Sequence, residues 1–178
     1  MNIDERLRKM KPSDTPLLVV GYIILGIMLL LSSTSVAAYD ENNERFCLAQ
    51  NIYFEAGNQP LAGRIAVGLV TLNRMNDVQF PDTVCDVVYQ AKMYTNWKGN
   101  EMPRLHQCQF SWYCDGKSDE PKDSTTWMES IKIADDLLTF DVYDFTDGAM
   151  WYHADWAWPY WADQLEHVVT IEDHVFYK

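Results

Sequence analysis

The stretch RFCLAQNIYFEAGNQP, residues 45–60, is the most informative part of the sequence for the fold. Apolar residues recur every three or four positions between Phe46 and Phe54, which predicts an amphipathic helix over residues 45–56. The following GNQP supplies a glycine stop signal and a proline that opens the next element. A helix ending at this point would place the carboxyl group of Glu55 beside three bulky apolar residues.

Beyond this stretch, residues 61–75 predict a second helix, because Leu61, Ile65 and Leu69 recur at intervals of four. Small residues along it would let another element approach closely. The remaining predictions are a short helix over 84–90, a loop over 92–107, a strand or turn over 109–113, a helix from a Thr126–Glu129 capping box to 140, a strand over 148–152, and a terminal hairpin of 165–171 and 174–177. Together they predict an α+β fold, helices first and strands last, of about 135 residues.

Length, composition and charge restrict the class of protein. The chain has 178 residues, of which 48% are hydrophobic, so it forms one packed domain with or without a tail. Its formal net charge of -12 repels phosphate backbones and argues against nucleic-acid binding. Phosphate-binding loops, dinucleotide fingerprints and H-E-x-x-H metalloprotease motifs are absent from the sequence.

The N-terminal segment predicts export. Residues 17–31 form an uncharged apolar run after a stretch with four basic residues, and small residues follow up to Ala38. The run spans about 22 Å as a helix, short of a hydrocarbon core of roughly 30 Å. Residues 1–38 are therefore interpreted as a cleavable signal peptide or, alternatively, an N-terminal hydrophobic helix retained as a membrane anchor. A linker over 39–44 and a catalytic domain over 45–178 would follow, outside the cytoplasm.

The four cysteines predict disulfides, because an exported domain matures in an oxidising compartment. Three pairings are possible, and we favour Cys108–Cys114 together with Cys47–Cys85. A zinc site is the competing interpretation, although the closest pair of cysteines lacks the short spacing of typical zinc ligands.

Glu55 is the candidate general acid. Burial beside apolar residues raises the pKa of a carboxyl group and keeps it protonated near neutral pH. The alternative is an exposed glutamate at the end of a helix. The pattern alone does not decide between the two.

Aromatic residues beside amide and hydroxyl groups suit binding of sugar rings, which have apolar faces and polar rims. One such group is Gln109, Phe110, Ser111 and Trp112; another is the aromatic stretch 151–161. The alternative for both groups is ordinary core packing. His153, His167 and His174 suggest a zinc amidase only if they converge, which the sequence does not require. No metal and no cofactor is predicted.

Six segments, taken together and in order, resemble the SleB-type cell wall hydrolases, the spore-cortex-lytic family. They are CLAQNIYFEA (47–56), GRIAV (63–67) running into LNR (72–74), FPDTVCDVVYQ (80–90), CQFSW (108–112), GAMWYH (148–153) and HVFY (174–177). The chain departs from the family where an arginine usually follows the Glu-Ala pair, which here is Gly57. It departs again at Gly63-Arg64, where Gly-Gln is usual.

This resemblance implies a mainly helical lysozyme-like domain with a small antiparallel β element, related to lytic transglycosylases. It implies action on the glycan strands of peptidoglycan, with Glu55 as catalytic acid and a cleft lined by residues 109–112 and Tyr152. A second carboxylate would be needed for hydrolysis. The sequence offers no obvious one, although Asp82, Asp115 and Asp155 are available, and this favours a transglycosylase. A muramidase, a zinc amidase and a non-catalytic peptidoglycan-binding module remain alternatives, and wall remodelling, germination and phage lysis all fit.

Overall fold

The computed structural model describes residues 43–178, and the predicted α+β class is confirmed. Four α-helices are present: α1 (Glu44–Ala56), α2 (Leu61–Met75), α3 (Val84–Val88) and α4 (Ser124–Thr139). Five strands accompany them: β1 (Ala91–Thr95), β2 (Glu101–Cys108), β3 (Trp151–Ala154), β4 (His167–Ile171) and β5 (His174–Tyr177). Two short 3₁₀ helices span Ser111–Cys114 and Ala162–Gln164.

The terminal hairpin is present as predicted, and it belongs to a three-stranded antiparallel sheet in the order β3-β5-β4. Strand β5 is central, so both of its edges are paired and Phe176 is fully buried. Tyr152 of β3 lies opposite Phe176 in the register. This pairing fixes the position of Tyr152 on the sheet.

The prediction of a loop over 92–107 is wrong. Strands β1 and β2 pair there as an antiparallel hairpin. Every residue of the two strands is at least partly exposed, so neither strand shows the apolar alternation that marks a half-buried sheet. The Lys, Asn, Gly and Pro content of residues 92–107 is typical of a loop. The two strands form nevertheless, because their backbones pair with each other.

Several predicted boundaries also differ. Helix α4 begins at Ser124, and its N-cap residue is Asp123. The Asp123 carboxylate accepts a hydrogen bond from the Thr126 backbone N–H at 2.7 Å. The predicted capping box, with Thr126 as the cap, is therefore wrong. Helix α3 ends at Val88. Strand β3 begins only at Trp151, because Gly148 adopts a φ of +76° in the preceding turn. Residues 109–113 contain part of a 3₁₀ helix in place of the predicted strand or turn.

The core is centred on α1, which packs against both α2 and α4. Gly68 of α2 allows this, because a Cβ there would collide with Leu137 of α4 and press on Ile52 of α1. Gly57 ends α1 in a right-handed conformation (φ -59°), and the lack of a Cβ leaves room for the Tyr53 carbonyl. The close approach expected from small residues in α2 is therefore present.

Residues 1–42 lie outside the described part of the chain, and with them the predicted signal peptide or anchor and most of the predicted linker. Helix α1 begins at Glu44, the last residue of that linker. Within residues 43–178, the helices are too short or too polar to cross a membrane.

Candidate active site

Glu55 lies in the last turn of α1, half-buried, at the wall of a cavity of about 400 Å³. The cavity has an aromatic side and a charged side, and its lining residues are Tyr53, Phe54, Glu55, Ser111, Trp112, Asp115, Lys117, Ser118, Asp119, Glu120 and Lys122. A carboxyl group therefore shares one opening with aromatic rings, which is the composition that sugar recognition requires.

The environment of Glu55 favours its protonated form. Burial raises the pKa of the carboxyl group, while the hydrogen bond from Tyr152 and the positive charge of Arg74 act in the opposite direction. The Tyr152 hydroxyl donates to Glu55 Oε2 at 3.1 Å. Burial and the nearby Glu55 carboxyl also raise the pKa of Tyr152 well above its usual value, so this hydroxyl keeps its proton.

A buried polar network holds the aromatic side of the cavity against α1. The Trp112 indole N–H donates to Asn51 Oδ1 at 3.0 Å, and the Asn51 amide donates to Thr71 Oγ1 at 3.1 Å. The Trp112 ring also stacks on Phe54, with centroids 4.8 Å apart. Because Asn51 lies one helical turn before Glu55, the same contacts fix the ring and the carboxyl group relative to each other.

Arg74 is a buried cation beside this site, and nothing in the sequence pattern indicated a role for it. Its guanidinium lies over the rings of Phe80 and Phe110, 5.4 and 5.0 Å from their centroids. Its Nε donates to the Met150 carbonyl at 2.6 Å, immediately before β3. Arg74 thereby links α2 to the strand that carries Tyr152, and its charge reaches Glu55.

The predicted sugar-binding residues occupy different positions. Ser111 and Trp112 line the cavity, and Tyr152 contacts Glu55. Phe110 is buried beneath Arg74 and is not among the residues that line this cavity, so its contact with sugar stays a prediction. Gln109 is exposed, and its carboxamide oxygen, in the amide orientation that satisfies its neighbours, accepts from the Arg74 guanidinium at 3.3 Å.

The cavity contains more carboxylates than the sequence suggested. Asp115, Asp119 and Glu120 line it together with Glu55, whereas Asp82 and Asp155 lie elsewhere. Lys117 pairs with Asp115 at 3.0 Å, and its hydrogen bonds lower the pKa of that carboxyl. Burial and the neighbouring Asp115 raise the pKa of Asp119. The sequence favoured a transglycosylase because it offered no obvious second carboxylate. The cavity contains further carboxylates beside Glu55, so that argument no longer applies.

Both favoured disulfides are present, Cys47–Cys85 and Cys108–Cys114. The first joins α1 to α3. The second joins the end of β2 to the end of the 3₁₀ helix that carries Ser111 and Trp112. The first bridge therefore ties down the helix that carries Glu55, and the second ties down the segment that carries Ser111 and Trp112.

His153, His167 and His174 are not among the residues that line this cavity. His153 contacts the Ala154 carbonyl at 2.8 Å and the Tyr177 hydroxyl at 3.0 Å, His167 contacts Thr170, and the His174 ring meets the Tyr152 ring edge-on at 5.3 Å. No group of three His, Cys, Asp or Glu side chains suited to a metal ion occurs within residues 43–178. Trp156, Trp158 and Tyr160, from the aromatic stretch 151–161, are exposed outside the cavity wall.

Comparison with known proteins agrees with this fold. The sequence model of the cell wall hydrolase family matches residues 58–177, and the chain belongs to that family. Glu55 lies three residues before the first matched position. The resemblance to SleB-type enzymes is confirmed.

The curated relatives are spore cortex-lytic enzymes. That of Halalkalibacterium halodurans is 38% identical over 63 residues, which are 35% of this chain and 19% of the relative. That of Bacillus subtilis is 39% identical over 54 residues, 30% of this chain and 18% of the relative. The aligned part thus spans about a fifth of these relatives.

Solved structures extend the similarity over most of the chain. The catalytic domain of the germination-specific lytic transglycosylase SleB from Bacillus anthracis is 25% identical, with a TM-score of 0.55, and the match covers 80% of this chain and 100% of that one. The catalytic domain of the Bacillus cereus SleB protein, at 24% identity and a TM-score of 0.53, supports the fold.

Proposed function

We propose that this chain cleaves the glycan strands of peptidoglycan as a lytic transglycosylase, with Glu55 as general acid and then general base. The observation that carries the proposal is the Glu55 carboxyl group, desolvated at the cavity wall and contacted by the Tyr152 hydroxyl. Family membership supports the substrate, and similarity to the lytic transglycosylase of Bacillus anthracis supports the reaction type.

In the first step, protonated Glu55 donates its proton to the glycosidic oxygen, and the bond from that oxygen to the muramic C1 breaks. The Glu55 carboxylate left behind accepts the Tyr152 hydrogen bond and lies in the field of Arg74. These two groups stabilise the anion as it forms, although burial favours the neutral acid beforehand. The oxocarbenium-like C1 remains on the glycan.

In the second step, the Glu55 carboxylate takes the proton from the muramic 6-hydroxyl, whose oxygen bonds to C1. The product is a 1,6-anhydro end, Glu55 is protonated again, and no water is consumed. One titratable group thus performs both proton transfers.

A muramidase is the second candidate, because Asp115, Asp119 and Glu120 line the same cavity. Any of them would supply the carboxylate that activates water or attacks the sugar in hydrolysis. The two reactions differ in their products by one water for each new end.

Mass spectrometry of glycans released from purified peptidoglycan tests the proposal. We expect anhydromuramic ends, and reducing ends alone would replace the transglycosylase by the muramidase. Loss of activity in chelator with release of free stem peptides would support a zinc amidase. Binding without any released product would support a non-catalytic module.

We further propose that residues 1–38 direct the domain out of the cytoplasm. The domain would then reach peptidoglycan, which lies outside the cytoplasm. An enzyme reporter that works only outside the cytoplasm should be active when it is fused after residue 60. A reporter at that position that works only in the cytoplasm would contradict export. The mass of the mature chain would then distinguish cleavage near Ala38 from a retained anchor.

A further inference from the structure

A second cavity adjoins the Glu55 cavity and has no role in the steps above. Its volume is about 600 Å³, and we call it the hairpin groove. One wall is the β1–β2 hairpin, and the other is the end of the first 3₁₀ helix with the segment that follows it. The lining residues are Tyr94, Met102, Pro103, Leu105, Tyr113, Cys114, Gly116, Lys117 and Asp119. Lys117 and Asp119 line both cavities, so the groove begins where the Glu55 cavity ends.

The hairpin differs in charge from the rest of the protein. Residues 91–108 carry Lys92, Lys98 and Arg104 against the single acid Glu101, in a chain whose net charge is -12. The Arg104 guanidinium lies 5.6 Å from the centroid of Tyr94, a groove residue. The Lys98 ammonium lies 4.9 Å from the Trp97 ring, which is 90% exposed. The hairpin that forms one wall of the groove is therefore basic on an otherwise acidic protein, with Arg104 beside the groove residue Tyr94, while the groove lining itself holds one cation and one acid, Lys117 and Asp119.

The positive charge of the hairpin would attract only the negatively charged part of the substrate. Within peptidoglycan, the sugars of a peptide-substituted strand are uncharged, and the stem peptides carry the carboxylates. Apolar groove residues such as Leu105, which is 59% exposed, suit the short side chains of such a peptide. We propose that the hairpin groove binds the carboxylate-bearing stem peptide next to the cleaved bond. This inference rests on the proposed function.

The test measures binding apart from catalysis. The full chain carrying Glu55→Gln is titrated with purified sacculi free of teichoic acid, either untreated or with their carboxylates converted to neutral amides. Amidation should weaken binding roughly three- to tenfold, the size expected for two exposed charge pairs. The Lys98→Gln/Arg104→Gln pair should weaken binding to untreated sacculi by a similar factor and leave binding to amidated sacculi unchanged.

The matched control is Lys132→Gln/Lys178→Gln, which removes two exposed lysines paired with Asp136 and Asp147 on other surfaces. It should bind both preparations like the parent. Equal losses on both preparations would assign the groove to neutral sugars and overturn the proposal, as would no loss on either. Product release by the parent chain is measured separately, so an inactive parent with charge-dependent binding contradicts only the proposed function.

Discussion

The buried and exposed sides of the Glu55 cavity are built differently. On the buried side, Asn51, Thr71 and Trp112 form a continuous hydrogen-bonded network, and Arg74 is enclosed between two aromatic rings. On the exposed side, the 115–122 segment presents charged side chains to solvent, and the β1–β2 hairpin does the same at the adjoining groove. The Glu55 carboxyl group is therefore held at the edge of the core, whereas the side chains proposed to recognise substrate remain exposed to solvent.

The greatest loss of activity should come from a change on the buried side. Glu55→Gln keeps the shape of the side chain and removes the acidic proton, so the rate of glycan release should fall about 10²–10⁴-fold. Glu44→Gln, at the exposed start of the same helix, is the control and should retain activity. A Glu55→Gln variant that clears peptidoglycan at the parent rate would disprove the assignment.

Tyr152→Phe should give the next largest loss. It removes a hydrogen bond to the carboxylate that forms during proton donation, and bonds to charged groups of this kind correspond to roughly a tenfold or greater loss. Because that bond lowers the pKa of Glu55, its removal should also move the alkaline limb of the pH–rate profile to higher pH. Tyr160→Phe, on an exposed loop, should change neither the rate nor the profile. An unshifted limb would show that Tyr152 does not act through Glu55.

The disulfides should affect stability unequally. Cys47–Cys85 closes a separation of 38 residues and Cys108–Cys114 one of 6, so chain entropy predicts contributions of about 4 and about 2 kcal/mol. Replacing Cys47 and Cys85 by alanine should therefore lower the denaturation midpoint more than replacing Cys108 and Cys114. Chemical denaturation of the two double variants measures the difference. A larger loss of stability on removal of Cys108–Cys114 would contradict the expectation that the bridge closing the longer loop contributes more.

The buried side was also the more predictable of the two. Helices α1, α2 and α4 and the terminal hairpin bury one face each, and burial leaves an apolar period in the sequence. The same burial made Glu55 recognisable as a candidate acid. Arg74 was missed because its role depends on Phe80 and Phe110, which approach it only in the folded chain.

The exposed side left little trace in the sequence. The β1–β2 hairpin buries no face, so its strands have the composition of a loop. Asp119 and Glu120 occur in a polar stretch like any solvated loop, and only the tertiary fold brings them to the cavity of Glu55. Phe110, which the sequence predicts to contact sugar, packs against the buried Arg74 guanidinium, a contact that only the folded chain reveals.

Direct titration of Glu55 shows whether the fold holds this carboxyl group as an acid. Carboxyl carbons of ¹³C-labelled glutamates are followed by NMR as pH is raised, and the resonance absent from the Glu55→Gln variant is assigned to Glu55. We predict a midpoint above 4.5, the ordinary value for glutamate, because burial outweighs the effects of Tyr152 and Arg74. A midpoint at or below 4.5 would mean that the fold does not favour the protonated carboxyl group, and it would contradict the assignment of Glu55 as the general acid.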